Sequence, residues 1–185
     1  MRLPYSPLPL IILPSILLIG CASPLPILEA NTAPKQNSGY VTGMFSGNGS
    51  GFGLQLTNIK TNVKYLVPFY GTKSWVEIFK PDTHEDEVTM VEVPEGGYII
   101  SHWVVYAMGN HERILEKEFP SSKNKPIIEI QSGKVKFIGH YKASMTFPEY
   151  RTVEYRITPI DIVKSDFIDA FSLKYPMFQN TIIDF

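Results

Sequence analysis

The sequence has little of several features that would place it in a protein class at once. Its 185 residues contain a single cysteine, which excludes an internal disulfide framework and a cysteine-rich zinc site. Seventeen Lys and Arg against eighteen Asp and Glu give a net charge of −1, without the basic excess of a general nucleic-acid binder. The 44% hydrophobic and 19% charged composition is that of a folded chain with one domain, or two small ones.

An apolar run lies at the N-terminus. From Leu8 to Ile19 the chain is apolar except for two prolines and one serine, and Arg2 is the only charge before it. About twelve residues are too few for a membrane-spanning helix, which needs roughly twenty. They suit the apolar core of an export signal.

The residues that follow, Leu18-Ile19-Gly20-Cys21-Ala22, resemble the lipobox of bacterial lipoproteins. That resemblance implies a signal peptide over residues 1–20, cleavage between Gly20 and Cys21, and a lipid on the Cys21 thiol. In Gram-negative lipoproteins an Asp after the cysteine favours inner-membrane retention, so Ala22 favours the outer membrane. An ordinary signal peptide, or an uncleaved apolar anchor with an incidental cysteine, remains the alternative.

Residues 21–39 are predicted to be the lipidated cysteine and a flexible tether. The segment holds Pro24, Pro26 and Pro34 among small polar residues, and no apolar periodicity is present. Removing residues 1–20 deletes one Arg and no acid, which leaves the mature chain at 16 − 18 = −2.

Residues 40–185 are predicted to form a mainly β domain. Short strand patterns separated by turn residues favour an antiparallel sandwich or barrel. The predicted strands are residues 40–45, 52–57, 63–70, 75–79, 88–93, 98–108, 113–119, 127–130, 134–142 and 152–157. Asn48-Gly49 between the first two predicts a hairpin, because both residues accept positive φ.

One C-terminal amphipathic helix is predicted at about 159–175. Thr158 would be its N-cap and Pro159 its first residue, and Pro176 would end it. Its apolar positions recur three and four residues apart, at Ile160, Val163, Phe167 and Phe171. We expect this stripe to cover a sheet, with a partner-binding helix as the alternative.

The turn Val93-Pro94-Glu95-Gly96-Gly97-Tyr98 before a long strand resembles one seen in transthyretin-like (prealbumin-like) and carboxypeptidase-regulatory-like sandwiches. The run Gly133–Gly139 and the C-terminal helix are similar to features of small uncharacterised bacterial lipoproteins with that sandwich. The resemblance spans about half of the mature chain and includes no catalytic motif. It implies a fold and leaves the function open.

The densest acidic cluster is residues 82–87, where His84, Glu85, Asp86 and Glu87 are candidate metal ligands. Several oxygen ligands together could hold Ca²⁺, but the acid-x-acid-x-acid-Gly spacing is missing. A solvated turn is therefore favoured, and neither a metal nor another cofactor is predicted.

The histidines and the strand patterns provide no catalytic constellation. On a regular strand His102 would share a face with Tyr98, Ile100, Val104 and Tyr106, either half-buried with a hydrogen bond or exposed at the rim. No Gly-x-Ser-x-Gly elbow is present, so no catalytic residue is assigned.

Aromatic residues and one proline suggest two binding alternatives. Pro68 predicts an edge strand or a bulge, which could accept a partner strand. Seven aromatic residues could stack on sugar rings if they were exposed together, although a core role is more common: Tyr65, Phe69, Tyr70, Trp75, Phe79, Trp103 and Tyr106.

The sequence therefore predicts a lipid-anchored envelope protein at the outer membrane, facing the periplasm. We expect a non-catalytic binding or assembly role, with the membrane and another envelope protein as partners and no nucleic acid. The alternatives are a cell-wall or glycan hydrolase, and a carbohydrate- or metal-binding module.

Overall fold

The computed structural model describes residues 24–47, 51–69, 86–106, 112–119 and 126–185, and the protein is mainly β. The strands are β1 (Gly39–Gly47), β2 (Gly51–Asn58), β3 (Lys64–Phe69), β4 (Glu87–Val93), β5 (Gly96–Tyr106), β6 (Arg113–Glu118), β7 (Ile128–Ile130), β8 (Val135–Thr146), β9 (Glu154–Ile160) and β10 (Ile183–Asp184). Helix α1 (Lys164–Lys174) and a 3₁₀ turn (Pro176–Phe178) follow β9. Within these ranges no helix has the length and apolar character needed to cross a bilayer. The predicted strand 75–79 lies outside the described residues.

The strands form two five-stranded sheets. The first sheet has the order β3-β2-β5-β6, with β7 also paired to β5, and all its pairs are antiparallel. The second sheet has the order β10-β8-β1-β4, with β9 also paired to β8. Here β1 and β10 run parallel to β8, so the prediction of a purely antiparallel architecture is wrong for this sheet. Parallel neighbours need a long connection, and the chain supplies one by building the first sheet between β1 and β8.

The predicted hairpin at Asn48-Gly49 is also wrong. Strands β1 and β2 lie in different sheets, because β1 pairs with β4 and β8 while β2 pairs with β3 and β5. Both edges of each strand are therefore occupied by other strands. Residues 48–50 themselves lie outside the described residues.

The inner faces of the two sheets share one hydrophobic core. Phe45 of the second sheet stacks on Phe69 of the first, with ring centroids 4.2 Å apart. Val41, Leu54 and Val91 are fully buried in the same cluster. Alternating apolar residues on β1, β2 and β4 give each strand a core-facing side, which produces a sandwich.

Helix α1 is shorter than predicted, because its expected first turn belongs to a strand. Thr158, Pro159 and Ile160 pair with β8 instead, and Ile160 is partly exposed. The long strand β8 pairs with this whole segment. The Thr-Pro helix-start pattern depends only on neighbouring residues, so it contains no information about pairing with β8. The helix begins at Lys164, after an exposed Val163.

The helix covers the outer face of the second sheet, as predicted. Phe167 and Phe171 are buried, and the Phe167 ring lies 4.3 Å from that of Phe137 on β8. The Met90 N–H donates to the Tyr175 Oη at 3.2 Å, and burial raises the pKa of Tyr175 to about 12. This second aromatic cluster makes the second sheet apolar on both faces.

Candidate functional site

The segment of residues 24–38, called the strap below, lies against the domain. The Leu25 N–H donates to the Leu66 carbonyl of β3, and the Leu28 N–H donates to the Met90 carbonyl of β4, both at 2.9 Å. Strands β3 and β4 are edge strands of opposite sheets, so the strap joins the two sheets on one side of the sandwich. The expectation of a flexible tether over residues 22–39 is therefore wrong for residues 24–38.

The strap buries apolar side chains, although its prolines make the segment look like a flexible coil in the sequence. Leu25 packs against the core between the sheets, and Leu28 packs against the aromatic cluster under α1. Leu25 and Leu28 are three residues apart, and because each packs against a different cluster, the two together hold the extended strap on the domain. This spacing produces neither the alternation of a strand nor the three-to-four periodicity of a helix, so the sequence predicts a flexible coil.

A polar contact fixes the second half of the strap. Lys35 Nζ lies 2.7 Å from Glu92 Oε2, and Ser38 Oγ donates to Glu92 Oε1 at 2.6 Å. The hydrogen bonds from Lys35 and Ser38 lower the pKa of Glu92 below its ordinary value. The Lys35 N–H also donates to Tyr40 Oη at 2.7 Å. The strap is therefore held beside the start of β1.

A cleft of about 360 Å³ opens at the end of the sandwich where β2 ends and β5 begins. Its lining residues are Asn58, Lys60, Thr61, Glu95, Gly96, Glu129, Ile130 and Gln131. Asn58 Oδ1 accepts the backbone N–H groups of Lys60 and Thr61 at 2.9 and 3.0 Å, which shapes the β2–β3 loop. Ser132 Oγ donates to Glu95 Oε2 at 2.8 Å.

The lining of this cleft combines charged, polar and apolar groups. Glu95 and Glu129 are exposed carboxylates, and Lys60 supplies a cation. The lining side chains that could act as a nucleophile, an acid or a base are Lys60, Thr61, Glu95 and Glu129. A general acid of the lysozyme type is enclosed by apolar side chains, whereas these two carboxylates face solvent.

His102 is half-buried and hydrogen-bonded, which confirms that part of its prediction. Its Nδ1 lies 3.1 Å from Gln55 Nε2, which also donates to Ser101 Oγ at 3.0 Å. Thr57 Oγ1 donates to the same Ser101 oxygen at 2.8 Å. These contacts form a small structural network on the outer face of the first sheet.

The predicted face of β5 is wrong because the strand contains a bulge. The register moves from Gln55 opposite His102 to Leu56 opposite Ile100, which leaves Ser101 as an extra residue. Tyr98 and Ile100 therefore belong to the inner core. The other three predicted members, His102, Val104 and Tyr106, lie on the opposite, outer face of the strand. There Val104 and Tyr106 pack with Leu66.

The two described members of the acidic cluster have pairing roles. Asp86 Oδ1 lies 2.9 Å from Nε2 of the buried His140, and Glu87 forms an ion pair with Lys174 of α1. His84 and Glu85 lie outside the described residues. Among the described residues, no group of three His, Cys, Asp or Glu side chains is placed to hold a metal ion. The His140 contact was not predicted, since nothing local in the sequence links it to residue 86.

Four of the seven aromatic candidates for sugar stacking are described, and they belong to the interior. Phe69, Trp103 and Tyr106 are buried and Tyr65 is half-buried, while Tyr70, Trp75 and Phe79 lie outside the described residues. Other aromatic side chains are exposed in the β8–β9 turn, where Phe147 is 66% and Tyr150 88% exposed. The Arg151 guanidinium lies over the Tyr150 ring at 5.1 Å.

Pro68 does lie in an edge strand, as predicted, but the chain itself uses part of that edge. Strand β3 is the outermost strand of the first sheet, and its Leu66 carbonyl already accepts a hydrogen bond from the strap. Addition of a partner strand there would compete with Leu25. Gly20 and Cys21 lie outside the described residues, and Cys21 is three positions before the strap.

No protein-family model and no curated protein matches the sequence. Among solved structures, a leucine-rich repeat protein from Bacteroides thetaiotaomicron VPI-5482 is similar, with 14% identity and a TM-score of 0.37. The similarity covers 58% of this chain and only 12% of that protein. It assigns neither a family nor a function.

Proposed function

We propose that the protein is a bacterial lipoprotein, anchored through a lipid on Cys21 at the outer membrane and facing the periplasm. Its sandwich would be of the transthyretin-like kind and would have a non-catalytic role in binding or in envelope assembly, with another envelope protein as its partner. No cofactor is part of the proposal.

The observation that carries this proposal is Leu18-Ile19-Gly20-Cys21, placed directly after an apolar run too short to span a bilayer. A lipid on the new N-terminus suits the described domain, because the strap begins at Pro24, three residues later. Each buried methylene contributes about 0.8 kcal/mol, so two or three acyl chains hold such a domain firmly.

Metabolic labelling with an alkyne fatty acid tests the lipid. The wild-type chain should take up the label and sediment with membranes, whereas Cys21→Ser should not be labelled. Ser23→Ala is the matched control, since it changes a neighbouring small residue and leaves the lipobox intact. An unlabelled wild-type protein would contradict the proposal.

A hydrolase is the second candidate, and the presence of Glu95 and Glu129 in one cleft is the observation in its favour. Digestion of labelled peptidoglycan and of glycan substrates by the purified protein tests it. Turnover that Glu95→Gln and Glu129→Gln each abolish, with unchanged unfolding curves, would replace the non-catalytic proposal.

A binding module for sugars or metals is the third candidate. The polar lining of the cleft, with one Lys and two Glu side chains, is compatible with such a ligand. A ligand that prefers the folded state raises the unfolding temperature. Stabilisation by a sugar or by Ca²⁺, lost in Glu129→Gln, would favour this module.

A further inference from the structure

The strap determines which side of the domain the anchor approaches. Pro24 bridges Leu66 in the parallel sense, so the strap here runs in the direction of β3. Strand β3 begins at Lys64, directly after the β2–β3 loop, and ends at Phe69. The strap therefore runs away from the loop end of the sandwich, and its first residue, Pro24, lies at the end of the strap that points toward this loop.

The length of chain before the strap limits the distance to the anchor. Pro24 is the third residue after Cys21, so three Cα-to-Cα steps join the two. Fully extended, these three steps span about 10 Å. A lipid on Cys21 would thus hold the β3 edge and its neighbouring loop close to the lipid headgroups, instead of leaving the domain on a long tether.

The surface at this end has the composition of an interfacial contact. Ile59 and Val63 are large apolar side chains that are 43% and 45% exposed, and Lys60 and Lys64 are exposed beside them. Residues 59–66 contain no Asp or Glu. The loop has a defined shape, because the Asn62 N–H donates to the Asn58 carbonyl at 2.9 Å.

We propose that the β2–β3 loop of the lipidated protein lies on the membrane surface, with Lys60 and Lys64 at lipid phosphates and Ile59 and Val63 at the boundary between headgroups and acyl chains. This orientation rests on the lipid attachment proposed above. A lysine near an anionic surface strengthens binding by about fivefold. The nearby carboxylates Glu95 and Glu129 oppose this attraction, so anionic lipid should favour the contact without being its only source.

A single-site label measures the orientation. In the lipidated protein the Cys21 thiol carries the lipid and the chain has no other cysteine, so Val63→Cys or Tyr150→Cys introduces one reactive thiol. Both positions are exposed, at the β2–β3 loop and at the β8–β9 turn. Each labelled protein is placed in vesicles of phosphatidylcholine with phosphatidylglycerol that contain a headgroup-linked quencher.

We expect the label at position 63 to be quenched several times more strongly than the label at position 150. In the position-63 protein, Lys60→Glu with Lys64→Glu should reduce the quenching severalfold, as should phosphatidylcholine alone. Lys142→Glu with Lys164→Glu makes the same charge change on exposed lysines of β8 and α1, and should leave it unchanged.

Equal quenching at both positions, or stronger quenching at position 150, would overturn the orientation. Protection of position 63 only in native membranes, and not in vesicles, would assign the loop to a protein partner and would also overturn it. Intact mass on the same samples separates this failure from that of the lipid anchor. A lipidated protein without the orientation rejects only the orientation, whereas a chain without lipid rejects the proposed function.

Discussion

The two sides of the sandwich differ in whether their edge strands are covered by another segment of the chain. On one side β3 and β4 are apolar edges, with Leu66, Val67 and Val91 fully buried, and the strap covers both strands. On the other side β6 and β9 are exposed edges, with charged side chains at four of six positions in β6 and at Glu154 and Arg156 in β9, whereas a proline is present on both sides, as Pro68 and Pro159. An uncovered strand edge invites pairing with another chain unless charge or proline prevents it. The apolar side therefore needs a cover, whereas the charged side does not.

The strap therefore has two roles. It closes the apolar edges, and under the proposed function it connects them to the lipid on Cys21. Among the described residues, the charged edges lie on the side opposite the strap, and under the same proposal this side would be the one that meets a partner.

Removal of the strap should have the largest effect. A soluble chain that begins at Gly39 loses three backbone hydrogen bonds to the domain, made by Leu25, Leu28 and Ser38, and the burial of Leu25 and Leu28, relative to one that begins at Ala22. We expect a loss of about 3–5 kcal/mol in the free energy of unfolding, together with self-association through the bared edges. Urea unfolding and size-exclusion chromatography measure both. A monomer of unchanged stability would show that the edges need no cover.

Truncation of one strap side chain should cost less. Leu28→Ala removes half-buried contacts with the aromatic cluster under α1, and should lower the free energy of unfolding by about 1–2 kcal/mol. The matched change on the open side is Ile114→Ala in β6, where the side chain is 48% exposed and the expected change is within about 0.5 kcal/mol. Equal losses in urea titrations would remove the distinction between the two sides.

The contact of Glu92 with Lys35 and Ser38 should make strap attachment sensitive to acid. The folded-state pKa of Glu92 is lowered from 4.5, so its stabilisation is fully present above that value and is lost as pH falls through the lower folded value. Glu92→Gln should cost under about 1 kcal/mol at neutral pH, because the ion pair is largely exposed. Unfolding at pH 7 and at pH 3 should show a smaller pH dependence in the variant, and an unchanged dependence would contradict this role.

Neutralising the open edge should affect association more than stability. Glu116→Val with Glu118→Val removes two exposed charges from β6, and should change the free energy of unfolding by no more than about 0.5 kcal/mol. We expect concentration-dependent association through β6, measured by sedimentation velocity. The control is Lys60→Val with Lys64→Val near the strap, which should cause less association. A variant of β6 that stays monomeric would mean that charge is not what protects this edge.

The sequence predicted local elements well wherever the pattern itself contains the information. Strand patterns at residues 52–57 and 88–93 agree with β2 and β4. Of the predicted helical stripe, Phe167 and Phe171 are buried as expected, whereas Ile160 and Val163 are exposed. The sequence-based prediction was wrong where pairing with a strand distant in the chain determines the secondary structure. Pairing with β8 turned Thr158-Pro159 into a strand, and pairing of β1 with β4 and β8 excluded the hairpin at residue 48.

The candidate sites show the same division. Of the two predicted alternatives for His102, the structure shows the half-buried, hydrogen-bonded one, but the Ser101 bulge, which moves His102 to the outer face, has no local signature. The cleft joins Asn58, Glu95 and Glu129 from three separate elements, so no spacing in the chain reveals it. The strap was missed because Leu25 and Leu28 find their contacts more than forty residues away, at Leu66 and Met90.

Intact-mass analysis of the mature protein purified from membranes tests the central claim most directly. The account predicts a chain that begins at Cys21 and whose mass exceeds that of the bare polypeptide by a diacylglyceryl group, with or without a further acyl chain. A free thiol at Cys21, or a first residue other than Cys21, would contradict it.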